Sequence, residues 1–115
     1  MPPGQQGLGE FEQMVLLAIL HASAGGEAYG VPIVDEIERR TGRTVSRAAV
    51  YVTLRRLEKR GLVTSWMSEP TGERGGKARR CVRVEPAGLA VLREARRAMT
   101  SMWADLDPEA AGGVG

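Results

Sequence analysis

At 115 residues the chain is sized for one domain with a modest core, and its balance of 43% apolar to 26% charged residues is that of an ordinary globular protein. A single cysteine, Cys81, excludes an intrachain disulfide framework and points to a reducing compartment. The formal net charge of +2 excludes a uniformly basic or acidic chain, yet that charge is unevenly spread.

Residues 1–38 carry six acids and no lysine or arginine. Residues 39–97 carry all sixteen basic residues against five acids, an excess of eleven positive charges. Such asymmetry suits a face built for a polyanion, with nucleic acid the first candidate. The plainer reading is a solvated surface that only keeps the chain in solution.

In chain order, MPPGQQGLG (residues 1–9) is rich in Pro, Gly and Gln and is expected to be a disordered tail, as is PEAAGGVG at 108–115. A first helix is predicted from Glu10 to about Ala22. Its apolar run Met14 to Leu20 is too short to cross a bilayer, and Glu10 and Glu12 stand where a signal peptide would be positive. A cytoplasmic location with no membrane partner is therefore expected. The helix has almost no polar face, so it should be buried on more than one side, with a second subunit covering part of it and Leu16 among the contacts.

After the loop SAGGEAYG, Pro32 suits the first turn of a second helix that runs to Thr41 with Ile33, Val34 and Ile37 inward, and Gly42 stops it. Ser46 then offers a capping hydroxyl to a third helix that ends at Gly61. Leu62 to Met67 and Arg79 to Glu85 read as two strands around the basic loop SEPTGERGGKA, and from Pro86 a last helix runs to about Leu106. The pattern is a mostly helical α+β fold. Residues 10–85 form a winged helix-turn-helix of three helices and a two-stranded wing, and residues 86–107 form a C-terminal dimerisation helix.

The third helix concentrates the charge. At 100° per residue Val50, Leu54 and Leu57 share a stripe that should face the core, and Ala48, Val52, Arg55 and Lys59 share the opposite one, with Arg56 beside it and Arg47 at its start. Small residues let a helix sink into the major groove, alanine or valine can touch a thymine methyl, and arginine can fork onto guanine or grip phosphate. Ser46 and Arg47 are expected to set the helix start, with Ala48, Val52, Arg55 and Tyr51 facing the groove. Lys59, Arg74, Lys77 and Arg79 are expected to bind backbone, and Arg39, Arg40 and Arg43 to supply flanking charge. The alternative is a charged solvent face. GERGGKA evokes a phosphate-binding loop, but Thr71 stands where the first glycine should be and Ala78 where a metal-binding hydroxyl should be, so that reading fails.

Catalytic constellations are absent. One histidine (His21) and one cysteine cannot build a metal site of ordinary spacing, and His21 reads as a packing or capping residue. No cofactor is expected.

On the last helix Leu92, Ala95, Met99, Met102 and Leu106 recur at spacings of three and four, widened by Trp103. The first turns should pack on the chain's own core, and Leu92, Met99, Met102, Trp103 and Leu106 should meet a second copy. Met99 and Trp103, one turn apart, either line an apolar pocket for a flat small-molecule effector or simply pack an interface. Cys81 alternates with Arg79 and Arg83, away from Val82 and Val84, and is expected to be partly exposed; it is either an inert thiol or a redox switch.

The chain resembles the PadR family of bacterial transcriptional regulators. The likeness is carried by AYG (Ala28 to Gly30), AVYVTLRRLEKRGLV (Ala49 to Val63), the Gly-rich basic wing and VRVEPAG (Val82 to Gly88). Tyr29 and Tyr51 fall on tyrosine positions of the family. The sequence departs from it at Cys81 and Val82, where aromatics are usual, and at Glu85–Pro86, which removes a hydroxyl cap from the last helix. The resemblance implies a winged-helix homodimer that represses promoters at a pseudo-palindromic operator and, in some members, lets go when a small molecule binds. The rival expectation is a winged-helix module that binds protein and no specific DNA.

Overall fold

The computed structural model describes residues 7–69 and 77–106. The order of elements is α1 (Glu10–Ala24), α2 (Gly30–Thr41), α3 (Arg47–Lys59), β1 (Val63–Met67), β2 (Arg80–Val84) and α4 (Pro86–Trp103). It is the expected α+β winged helix-turn-helix with one further helix. Arg74 and the two terminal stretches lie outside the described residues, except that Leu8, expected in a tail, packs on the core and Gly9 caps α1.

Local chemistry sets the boundaries. The backbone N–H of Gly9 donates to the Glu12 carboxylate at 2.8 Å, which satisfies a donor left free at the helix start. Gly42 closes α2 in the left-handed region (φ 74°), where its N–H donates to the Glu38 carbonyl at 2.9 Å. Pro32 occupies the first turn of α2, two residues later than the helix actually begins. Glu85 precedes α4 without a side-chain cap; its carboxylate instead accepts from Thr64 Oγ1 at 3.0 Å and Arg83 Nε at 3.1 Å.

The core gathers Val15, Leu16 and Ile19 of α1, Ile33 and Ile37 of α2, Val50, Leu54 and Leu57 of α3, and Leu62, Val63, Val82 and Leu92 from the segments that follow. Burial of each such side chain is worth roughly 1.5–3 kcal/mol before the entropy cost of ordering it. The two strands pair antiparallel in the register Val63↔Val84, Ser65↔Val82 and Met67↔Arg80, and Ala28 adds a bridge to Val82, tying the loop before α2 to the wing. α4 leaves the sheet at close range: a Cβ on Gly88 would run into the Leu62 carbonyl oxygen and lie 2.9 Å from Val84 Cγ1. That glycine lets the last helix seat its first turns on the wing.

Three expectations about burial are corrected. Leu16 is fully buried and Leu92 is 6% exposed, both within the chain's own core, so neither is free to touch a second copy. α1 is apolar on all sides because its inner residues Val15, Leu16, Ala18 and Ile19 are interleaved with outward Leu17 and Leu20. Cys81 lies on the sheet face opposite Val82, as the alternation predicted, but it is buried rather than partly exposed. His21, expected to pack or to cap, is exposed in the last turn of α1, so the packing half of that expectation is set aside. No helix among the described residues is long and apolar enough to cross a membrane.

Candidate nucleic-acid interface

Ser46 has extended backbone (φ −91°, ψ 148°), and its Oγ accepts from the Ala49 N–H at 3.0 Å. This cap starts α3 cleanly and leaves its first N–H groups facing outward, where a helix end favours anions. Val50, Thr53, Leu54 and Leu57 turn inward, and Arg47, Ala48, Tyr51, Val52, Arg55, Arg56 and Lys59 are exposed. The stripe expected to face a groove is thus solvent-facing along its whole length, small at its start and cationic beyond. Among the described residues, none of Arg47, Arg55, Arg56 and Lys59 is ion-paired.

The other cations divide by partner. Glu36 accepts from Arg39 at 2.6 Å and from Arg40 at 2.7 Å, and these bonds hold its carboxyl below the usual range. Glu10 accepts from Arg43 at 2.9 Å, which lowers the Glu10 pKa and raises that of Arg43. Arg60, at the end of α3, lies 3.6 Å from Glu12. The flanking charge expected from Arg39, Arg40 and Arg43 is therefore partly neutralised within the chain. What stays available is concentrated on α3 and the wing base.

Glu58, the one acid of α3, accepts from Ser65 Oγ at 2.8 Å, and Ser65 Oγ accepts from Arg80 at 3.1 Å. This relay fastens strands and helix together, so the wing base cannot shift freely relative to the exposed stripe. At the wing base the Arg79 guanidinium lies over the Tyr29 ring, 4.5 Å from its centroid. Lys77 is exposed beside it, at the edge of the described residues. Tyr51 crosses from α3 to the start of α2, where a Cβ on Gly30 would lie 2.9 Å from its Cζ and closer still to its hydroxyl. Tyr29 and the Glu58–Ser65–Arg80 relay were missed as site residues. Tyr29 stood in the AYG motif, but its Arg79 partner is fifty residues away and no local pattern joins them.

The second surface lies on the other side. Beyond Leu92, α4 has no buried residue for roughly 16 Å of helix, at 1.5 Å per residue. Met99, Met102, Trp103 and Leu106 are exposed there, Met102 and Leu106 by 72% and 75%. Met99 and Trp103, together with Leu17 and Leu20 of α1, line a groove of about 460 Å³ between the two helices, which Arg93 and Arg96 also line, whereas Met102 and Leu106 lie outside it. Burial pushes the Cys81 thiol up, helped by the nearby Glu27 carboxylate, so it stays protonated. Among the described residues no group of three or more His, Cys, Asp or Glu is placed to hold a metal.

An exposed basic helix, capped by serine and buttressed by a two-stranded wing, defines the chain as a winged helix-turn-helix protein. Residues 16–94 match the model of the transcriptional regulator PadR-like family, and the chain belongs to that family, one of regulators and not of enzymes. It is 40% identical over 94 residues, covering 81% of this chain and 83% of the other, to the transcriptional regulator Rv3488 of Mycobacterium tuberculosis. Among solved structures it is similar to a transcriptional regulator from Clostridium thermocellum, with TM-score 0.65 and 22% identity over 80% of this chain and 84% of that one. A PadR family regulator from Eggerthella lenta shares 27% identity at TM-score 0.58, with 81% and 79% covered.

Proposed function

We propose that this PadR-family regulator binds duplex DNA sequence-specifically as a homodimer and represses the promoters whose operators it occupies. The observation that carries the reading is the solvent-facing stripe of α3, where small Ala48 and Val52 lead into Arg55 and Lys59 with no carboxylate partner among the described residues. Ala48, Val52 and Tyr51 face the groove. Arg55 reads a base edge, while Ser46 and Arg47 fix the helix start against the backbone. Lys59, Lys77 and Arg79 hold phosphate, and Arg74, outside the described residues, extends that role to the wing tip.

A second copy covers the apolar overhang. Met99, Met102, Trp103 and Leu106, together with Leu17 and Leu20 instead of Leu16 and Leu92, are the side chains that a two-fold axis would bring together. Two α3 helices then address half-sites about one helical turn apart, as repression at a pseudo-palindrome requires. The groove beside Met99 and Trp103 gives a flat apolar effector a place from which to disturb that dimer.

Paired variants test the reading. Arg55→Ala should cost about 1–3 kcal/mol on the preferred sequence and relax preference at one base pair, whereas Lys59→Ala should weaken binding to all sequences alike and lower the salt dependence. Unchanged affinity and preference in Arg55→Ala would place α3 outside the groove. A chain that ignores duplex DNA and captures a protein at high salt would be an interaction module.

A further inference from the structure

The DNA-binding reading gives Arg47, Tyr51 and Arg79 separate roles, and one concavity brings the three together. It lies where the starts of α2 and α3 meet the wing base, about 310 Å³ in size, and is lined by Tyr29, Val31, Arg47, Tyr51, Arg79 and Arg80 with Ala78. Three guanidinium groups and two phenol rings converge there with no acid among the lining residues. The lining suits an anion and repels a cation.

Each arginine is held differently. Arg80 donates to Ser65 Oγ, so its head is committed to the relay that reaches Glu58. Arg47 is the first residue of α3 and is not ion-paired among the described residues. Arg79 lies over the Tyr29 ring, its Cζ 4.5 Å from the centroid, and no carboxylate among the described residues is ion-paired with it. A guanidinium already held against an aromatic ring loses less freedom on engaging a phosphate than one free in solvent. Tyr51 closes the opposite side, its hydroxyl resting against Gly30, the first residue of α2.

Resting on the DNA-binding reading, we infer that this concavity is the seat of one backbone phosphate of the bound duplex, with Arg79 and Arg47 as its ligands and Tyr29 as the residue that positions Arg79. Tyr29 touches no DNA; it works through the arginine it supports. The phosphate belongs to the duplex and not to a free ion, because Arg47 sets the rim of the concavity at the start of the helix that enters the groove.

The test measures binding of the intact chain to a mixed-sequence duplex as a function of salt. Arg79→Ala is expected to lower the magnitude of the log–log salt slope by about one, the share of one phosphate contact. Tyr29→Leu should lower it equally, Tyr29→Phe should leave it unchanged, and Tyr29→Leu with Arg79→Ala together should do no more than Arg79→Ala alone. A merely structural tyrosine would lower the thermal midpoint and leave the slope intact. Independent of whether Tyr29→Leu folds, single methylphosphonate substitutions scanned along the duplex should find one position where wild type loses affinity and Arg79→Ala does not.

If wild type binds duplex and the slopes of Arg79→Ala and wild type coincide, the phosphate seat is wrong while DNA binding stands. If wild type binds no duplex at low salt, the DNA reading itself fails. If inorganic phosphate at constant ionic strength displaces duplex from wild type but not from Arg79→Ala, the concavity serves a free anion and the backbone assignment is overturned.

Discussion

Gly30 shows how one missing side chain is tied to function. At the first position of α2 glycine carries little of the penalty it would have in a helix interior, so helix formation alone does not decide between it and alanine. An alanine Cβ, however, would displace the Tyr51 ring, which sits on the exposed face of α3. Gly30→Ala is therefore expected to leave the thermal midpoint near wild type while weakening DNA binding ~2–10-fold, the size of one misplaced neutral hydrogen bond. Equal losses of stability and affinity would show that Gly30 serves the fold only. Cys81 makes the opposite case, a reactive group withdrawn from chemistry. Buried and held as thiol, it should resist alkylation in the native chain and react once the chain is unfolded, with DNA binding indifferent to mild peroxide. Rapid native alkylation would revive the redox switch.

At the scale of elements, α1 is more than a core helix. Its first turn carries Glu10 and Glu12, which pair with Arg43 before α3 and Arg60 after it, while its outward Leu17 and Leu20 flank the groove against α4. One helix thus touches both ends of the segment proposed to face DNA and the surface proposed to meet a second copy. On α2, Glu36 is held ionised by Arg40 and Arg39, so its contribution to stability is present above the usual carboxylate range and is lost as pH falls through its lowered pKa. Glu36→Gln should accordingly be less stable than wild type at neutral pH, and the gap in thermal midpoint should close on acidification. A gap that persists in acid would mean the side chain matters for packing and not for charge.

The elements themselves were largely legible from the chain. Ser46, Gly42, Gly61 and Pro86 punctuate it with local chemistry, and local chemistry is what a sequence displays. What stayed hidden was the direction of apolar residues on a helix with no polar face: Leu16 and Leu17 are adjacent and equally apolar, yet one is buried and the other half exposed. Partnerships across the fold stayed hidden for a related reason. Arg43 with Glu10, Arg60 with Glu12 and Arg79 with Tyr29 join segments whose proximity only packing decides.

Across the whole molecule the charge excess of residues 39–97 is sorted into two populations. Arg39, Arg40, Arg43, Arg60, Arg83 and Arg97 are engaged with carboxylates, whereas among the described residues Arg47, Arg55, Arg56 and Lys59 of α3 and Lys77 and Arg79 at the wing base are exposed without an ion pair. On the far side the overhang of α4 leaves apolar surface that a second copy would bury. Met102→Glu combined with Leu106→Glu should yield a folded monomer by sedimentation, with affinity for a two-fold site collapsing toward that for a single half-site; a dimer that survives both changes would place the interface elsewhere. Selection of bound fragments from random DNA by the purified chain at physiological salt joins both surfaces in one measurement. The account predicts enrichment of an inverted repeat whose half-sites are centred about ten base pairs apart. Recovery of DNA without any motif, lost steeply as salt rises, would mean that the basic face is only electrostatic and would contradict groove reading by α3.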